Sequence, residues 1–179
     1  MTTSSTATFN LDLTEIVEEA FERAGSELRS GYDLKTARRS LNLLFAEWAN
    51  RGINLWTVEE GTQALTSGTS TYNLPVDTVD LIEHFIRTGS GTTQSDLVLT
   101  RISVSSYAAI PNKNSTGRPT QVYIDRKSGA TESSGVQNPT VTFFPVPDSS
   151  TTYTLVYYRL RRILDAGEGF NTMDIPFRF

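Results

Sequence analysis

The stretch Leu41-Asn42-Leu43-Leu44-Phe45-Ala46-Glu47-Trp48-Ala49-Asn50-Arg51-Gly52 runs directly into Ile53-Asn54-Leu55-Trp56-Thr57-Val58. Leu41, Leu44, Phe45 and Trp48 recur at helical spacing, and Gly52 stands where helices commonly stop. Beyond Gly52 the apolar period falls from 3.6 towards 2, the alternation of a strand. The junction joins a short helical part to a long β-rich one, so the chain reads as α+β. An N-terminal α-helical hairpin is followed by a β-rich antiparallel part of sandwich or barrel type.

Upstream, Asp12 and Glu15 have the N-cap and N3 spacing of a capping box. Leu13, Ile16, Val17, Ala20, Phe21 and Ala24 follow as one apolar stripe, stopped at Gly25. The opposite face carries Glu15, Glu18, Glu19 and Glu22. Asp33 is predicted to cap the second helix, in which Ala37 begins the stripe that Leu41 continues. Two such helices bury too little area to stand alone, so each stripe needs a further layer.

Downstream, Trp56-Thr57-Val58 is predicted to open a strand. Ala64-Leu65 and Thr71 to Leu74 flank a turn at Thr66-Ser67-Gly68-Thr69, and Pro75 closes that unit. Val79 to Arg87 and Asp96 to Ile102 are further strand-like runs around a glycine-rich loop at 88–95. Ser103 to Ala109 suits one helical turn, and Lys113 to Pro119 a loop. Gln121 to Asp125, Thr140 to Phe144 and Tyr153 to Leu160 read as a three-stranded meander, with Pro145 and Pro147 ending its middle strand. The expectation is about seven short strands. The boundaries follow: a flexible arm at 1–10, the hairpin at 11–52, the β-rich part at 53–163, and a linker with the start of a C-terminal helical, docking segment at 164–179. Asp174-Ile175-Pro176-Phe177 has the pattern of a helix start with proline in its first turn.

The 179 residues suffice for one domain with a real core. A net charge of −4 and a pI near 5.0 argue against a non-specific nucleic-acid binder. With no cysteine, disulfides and thiolate metal sites are excluded. Residues 1–8 lack the charge and apolar core of a signal peptide, and no apolar run approaches the ~20 residues of a membrane span. Serine and threonine make up about a quarter of the chain, above ordinary usage.

No constellation points to catalysis, a metal or a cofactor. His84 is the sole histidine, flanked in a strand pattern by Glu83 and Phe85, and triads or metal sites need partners. Glu59-Glu60 and the pair Asp77 and Asp80 are the only candidate paired carboxylates. Neighbours on a strand point to opposite faces, and Glu59-Glu60 reads as a solvated edge followed by a turn at Gly61. Gly89-Ser90-Gly91 lacks the lysine and setting of a phosphate loop. The acids of the first helix suit a solvated face or a channel wall that repels DNA. Arg23, Arg29, Lys35, Arg38, Arg39 and Arg51 could pair with them within one copy or across to the next. Arg159, Arg161 and Arg162 suit either a solubilised strand end or a contact with an acidic partner.

Gly31-Tyr32-Asp33-Leu34-Lys35-Thr36-Ala37-Arg38-Arg39-Ser40-Leu41-Asn42 and Glu47-Trp48-Ala49-Asn50-Arg51-Gly52-Ile53-Asn54-Leu55-Trp56 resemble the opening of the head-to-tail adaptor (connector) proteins of tailed bacteriophages, especially the short-tailed ones. Tyr72-Asn73-Leu74-Pro75, Gly117-Arg118-Pro119-Thr120-Gln121, Phe144-Pro145-Val146-Pro147-Asp148 and Tyr157-Tyr158-Arg159-Leu160-Arg161-Arg162-Ile163 keep the same order. The likeness runs from about Leu13 to Phe179. It implies a non-enzymatic structural protein of the virion neck, assembled in the bacterial cytoplasm as a ring of twelve copies. Such a ring joins the portal protein to the tail nozzle or tail tube and extends the channel for double-stranded DNA. Tail fibres are a further possible partner, and no membrane is involved. The resemblance implies a helical bundle carrying the β-rich part as an insertion, with Trp48, Arg51, Gly52 and Trp56 forming the joint between them. Subunit or partner contacts are expected at Arg38, Arg39, Arg51, Trp56, Arg159, Arg161, Arg162, Phe177 and Phe179, with Glu15, Glu18, Glu19 and Glu22 as possible channel-facing acids. Loops near Gly89 and Ser133 would face other neck components. The alternative is a tail-fibre attachment or glycan-binding module, for which an exposed aromatic cluster on a sheet face would speak.

Overall fold

The computed structural model describes residues 10–53, 55–127, 131–132 and 135–175. Nearly all of the expected arm, with Ser133, Phe177 and Phe179, lies outside the described residues. The fold is mixed α+β: two N-terminal helices are followed by several mostly antiparallel sheets. The chain divides into two compact units, one of residues 1–57 with 163–179 and one of 58–162.

In the first unit, α1 (Leu13–Arg23) has the capping box that its sequence predicts: Glu15 N donates to Asp12 Oδ1 (2.8 Å), and Asp12 N to Glu15 Oε2 (3.0 Å). α2 (Gly31–Asn50) begins one turn earlier than expected. Ser30 is its cap, with extended backbone (φ −146°, ψ 154°) and an Oγ that accepts from Asp33 N. Asp33 instead occupies the first turn, where its charge suits the positive helix end and its carboxylate accepts from Ser30 Oγ (2.9 Å). Either residue type can cap, and the one with non-helical backbone does. Gly52, at φ 76°, ends α2 in the left-handed region that glycine enters without strain.

Residues 163–175 pack back on the two helices. Ile163, Ala166 and Met173 join Leu13, Val17 and Phe45 in a small buried core. The same segment satisfies donors at the start of α1, which an isolated helix leaves open. Leu13 N donates to Asn171 O (3.2 Å), and Thr14 N to Gly169 O (3.1 Å). Ala166 N donates to Asn42 Oδ1 (2.7 Å), and Trp56 Nε1 to Asp174 O (2.7 Å).

The second unit contains β1 (Val58–Leu65), β2 (Thr71–Asn73), β3 (Thr78–Thr88), β4 (Ser95–Val98), β5 (Thr100–Arg101), β6 (Thr116–Gly117), β7 (Gln121–Asp125), β8 (Thr131–Glu132), β9 (Gly135–Val136), β10 (Thr140–Phe144), β11 (Val146–Pro147) and β12 (Tyr153–Arg161). Helix α3 (Val104–Ala108) forms as expected, capped by Ser103. The two main sheets have the orders β1-β12-β3-β4 and β2-β10-β7-β5. Leu81, Ile86, Tyr153, Leu155 and Tyr157 of the first meet Val122, Ile124, Val141 and Phe143 of the second in one apolar core. Tyr72 closes on Phe143 edge-on, with ring centroids 5.9 Å apart.

Several strand expectations need correction. The meander is incomplete, because β12 leaves β10 to sit between β1 and β3. β1 and β2 flank the predicted turn but enter different sheets. The run at 96–102 splits into β4 and β5, again in different sheets, and β5 lies parallel to β7. Part of the loop at 113–119 becomes β6, parallel to β11. Among the described residues the strand count is therefore twelve rather than seven. The common cause is that alternation fixes which face a side chain takes, not which strand lies beside it. Trp56 and Thr57 precede β1 rather than open it.

Gly61 is also misplaced by sequence reasoning. It lies inside β1, opposite Tyr157, and not in a turn. A Cβ there would stand 2.5 Å from the Tyr157 ring, so the glycine makes room for an aromatic laid against the backbone.

Candidate assembly surfaces

α1 and α2 face each other through their apolar stripes, as their periodicity requires. Ile16, Val17 and Phe21 on α1 and Ala37, Leu41 and Leu44 on α2 line an open, almost wholly apolar cleft of about 240 Å³. Behind it the core is thin: Leu13, Val17 and Phe45 are the buried helical side chains.

The polar faces are unequal. On α1, Glu15, Glu18, Glu19 and Glu22 are all exposed, at spacings of three, four and seven residues. Glu15 serves the capping box, and Glu19 pairs with Arg23 (2.6 Å). On α2, Lys35 lies three and four residues before Arg38 and Arg39, and the three cations, with Tyr32 and Leu43, line an open cleft of about 430 Å³. Arg51 pairs with Glu47 one turn back on the same helix. Trp56 is half-buried and tied to Asp174 O.

In the β-rich unit the strand-end arginines Arg159 and Arg161 are satisfied internally. Arg159, 13% exposed at its side chain, donates to Asp77 (2.6 Å), Glu59 (2.7 Å) and Thr78 Oγ1 (3.1 Å). Arg161 donates from Nε to Glu59 and from Nη1 to Arg162 O. Glu59 lies on an edge strand as expected, but its carboxylate is the acceptor for two strand-end guanidiniums rather than simply solvated. The Arg161 hydrogen bond, helped by Arg159 and opposed by burial, holds the Glu59 carboxyl below its usual range. Burial alone would lower the Arg159 pKa, but its hydrogen bonds to Asp77 and Glu59 raise it. Arg162 is exposed, and its backbone N–H donates to Asp77 O.

Sequence reasoning missed a second cluster. Asp80 accepts from Arg101 at Oδ1 (2.8 Å) and from Arg126 at Oδ2 (2.6 Å), and Oδ1 also accepts from Leu81 N (2.9 Å). Nothing in a linear pattern connects residues so far apart. Asp77 and Asp80 are therefore separate arginine acceptors, not an acid–base pair. Tyr107 and Tyr123 stack at 5.4 Å, with Lys113 over the Tyr107 ring. On the outer face of the first sheet, Thr62, Val156, Phe85 and Val98 align across all four strands, and Val98 is 72% exposed.

His84 points into the protein, opposite to Glu83 and Phe85, and both ring nitrogens lack a hydrogen-bond partner. Burial, then the charge of Arg101, lowers its pKa against the opposing pull of Glu83 and Asp80. Among the described residues no group of three or more histidine, aspartate or glutamate side chains could hold a metal ion.

Residues 11–178 match the family described as SU10 adaptor protein. The chain belongs to that family. It is thus a phage head–tail adaptor, a structural class, and the family assigns it to the virion. No curated protein matches the adaptor's sequence. Among the adaptor's described residues, no helix is long and apolar enough to cross a membrane.

Proposed function

We propose that this adaptor works as a ring between the portal and the tail nozzle or tail tube, prolonging the channel through which double-stranded DNA passes. Twelve copies is the number that the family resemblance suggests. The observation that carries the reading, beyond family membership, is the uncovered apolar cleft between α1 and α2. A hairpin with so little buried on its own gains most from burial against neighbours, at roughly 25 cal/mol per Å² of apolar surface. Arranging copies around an axis supplies that cover without leaving an open edge to grow into fibres.

In this reading the function is mechanical. The helical part, residues 11–57 with the closing segment from 163, forms the ring frame. The β-rich part, 58–162, presents loops such as that around Gly89 to neck or tail components. DNA passes without sequence-specific contact, in keeping with a net charge of −4. Arg159 and Arg161 serve the stability of β12, so contact with an acidic partner falls to other cations. The glycan-binding alternative is less well supported: the Tyr107–Tyr123 stack is half-buried and covered by Lys113.

Electron microscopy of isolated necks, with the adaptor tagged in the loop at 88–95, tests the reading. A closed ring of tagged density between portal and tail is expected. Tagged density confined to fibres or to the distal tail would overturn it.

A further inference from the structure

Five charged side chains of α1 and α2 stand apart from the others on those helices. Glu18 and Glu22 on α1 and Lys35, Arg38 and Arg39 on α2 make no hydrogen bond or ion pair among the described residues. Most other described arginines are neutralised on the chain's own carboxylates: Arg87 on Asp96, Arg101 and Arg126 on Asp80, Arg159 and Arg161 on Glu59.

The unpaired charges are also arranged unfavourably within one copy. Glu18 and Glu22 are one helical turn apart, and so are Lys35 and Arg39. Like charges at that spacing repel each other along a helix. The two stripes match in spacing and are opposite in sign, so the repulsion in each is relieved when one lies against the other. They do not meet within the chain: α1 and α2 face each other through Val17, Phe21, Ala37 and Leu41, and each charged stripe sits away from that cleft.

We propose that the acidic stripe of α1 in one copy docks on the cationic cleft of α2 in the next. This rests on the ring reading above and names a charged seam distinct from the apolar cleft that carries that reading. Because the stripes occupy the backs of two packed helices, one neighbour cannot engage both. The contact is therefore heterologous, the kind that propagates around an axis and closes. Tyr32 and Leu43, 75% and 67% exposed, flank the cations and give the seam an apolar margin. A nucleic-acid backbone would also suit three cations. It would leave Glu18 and Glu22 without a partner, whereas a second copy satisfies both stripes at once.

The adaptor has no cysteine, so thiols can be placed on the two stripes without background. In the full chain, Glu19→Cys combined with Leu43→Cys leaves all five charges in place. Mild oxidation is expected to give a ladder of covalent multimers, while either single variant stops at the dimer. Glu18→Lys with Glu22→Lys, and separately Lys35→Glu with Arg39→Glu, should each weaken assembly at low salt on the order of tenfold, as close charge pairs at interfaces do. All four substitutions together should restore it, because the seam is rebuilt with signs exchanged. Sedimentation velocity reads the assembly, and circular dichroism confirms that each variant is folded. Reversal variants that assemble like the wild type overturn the seam and leave the ring standing. A wild-type chain giving no multi-copy species, together with a double-cysteine variant giving no ladder, overturns both. A Lys35→Glu, Arg39→Glu variant that assembles normally but loses retention of double-stranded DNA overturns the seam in favour of a nucleic-acid contact.

Discussion

Gly61 and Tyr157 are bound to each other by volume. A methyl at position 61 would overlap the ring at 2.5 Å, and the ring lies in a buried core with little freedom to withdraw. Gly61→Ala should therefore destabilise the protein by about 1–3 kcal/mol, the usual cost of overpacking. Urea unfolding measures this, and adding Tyr157→Leu should recover part of the loss, since the clash is shared between the two positions. His84 is the other residue-scale constraint. Its pKa is lowered chiefly by burial, so the folded state resists a proton that the unfolded chain accepts. Its share of stability is complete above the ordinary histidine pKa of about 6.5 and is lost as pH falls below it, towards the folded value. A urea midpoint followed downwards from pH 7 should decline in the wild type and decline less in His84→Leu. Glu59 behaves in the same sense at lower pH. Its depressed pKa contributes stability that is present above about 4.5 and lost as pH falls through the folded value, so Glu59→Gln should flatten the acid limb.

At the scale of elements, helices are written locally and sheets are not. The Asp12–Glu15 box and the stop at Gly52 are legible because both partners lie within one turn of each other. Even there Ser30 and Asp33 compete for one cap, and only backbone geometry decides between them. Ser30→Ala should cost about 1 kcal/mol, as cap removal does, while Asp33→Asn should cost only a few tenths. Strand positions are legible from alternation, and most of them form. Their neighbours are not: β12 pairs with β1 and β3 although each lies some seventy residues or more away, and no local pattern carries that choice. Of the candidate surfaces, the helical stripes can be read from spacing alone. The pairing of Arg159 and Arg161 with Glu59 cannot, because it depends on which strand lies beside β12.

For the whole molecule, the two units differ in how much they bury. One core holds six buried side chains and the other twelve. Trp48 and Trp56, the only tryptophans, both belong to the thinner one. Tryptophan emission therefore reports the helical unit alone, while far-ultraviolet circular dichroism in the strand region is weighted to the other. In a denaturant titration the emission midpoint should come first, and coincident curves would mean that the units unfold together. The closing segment belongs to the thinner unit as well. Met173→Ala should cost about 2–5 kcal/mol by emission, the range for a buried methionine truncation, and leave the dichroism midpoint nearly unmoved.

Val58 and Leu160 are paired partners in neighbouring strands, at the two points where the β-rich body begins and ends. Its first and last strands thus form adjacent stems, so the excursion behaves as a cassette. A two-residue hairpin in its stead would leave the helical frame with an ordinary short connection, and a different body on the same stems could be grafted there. Diversification of such proteins need not touch the frame at all.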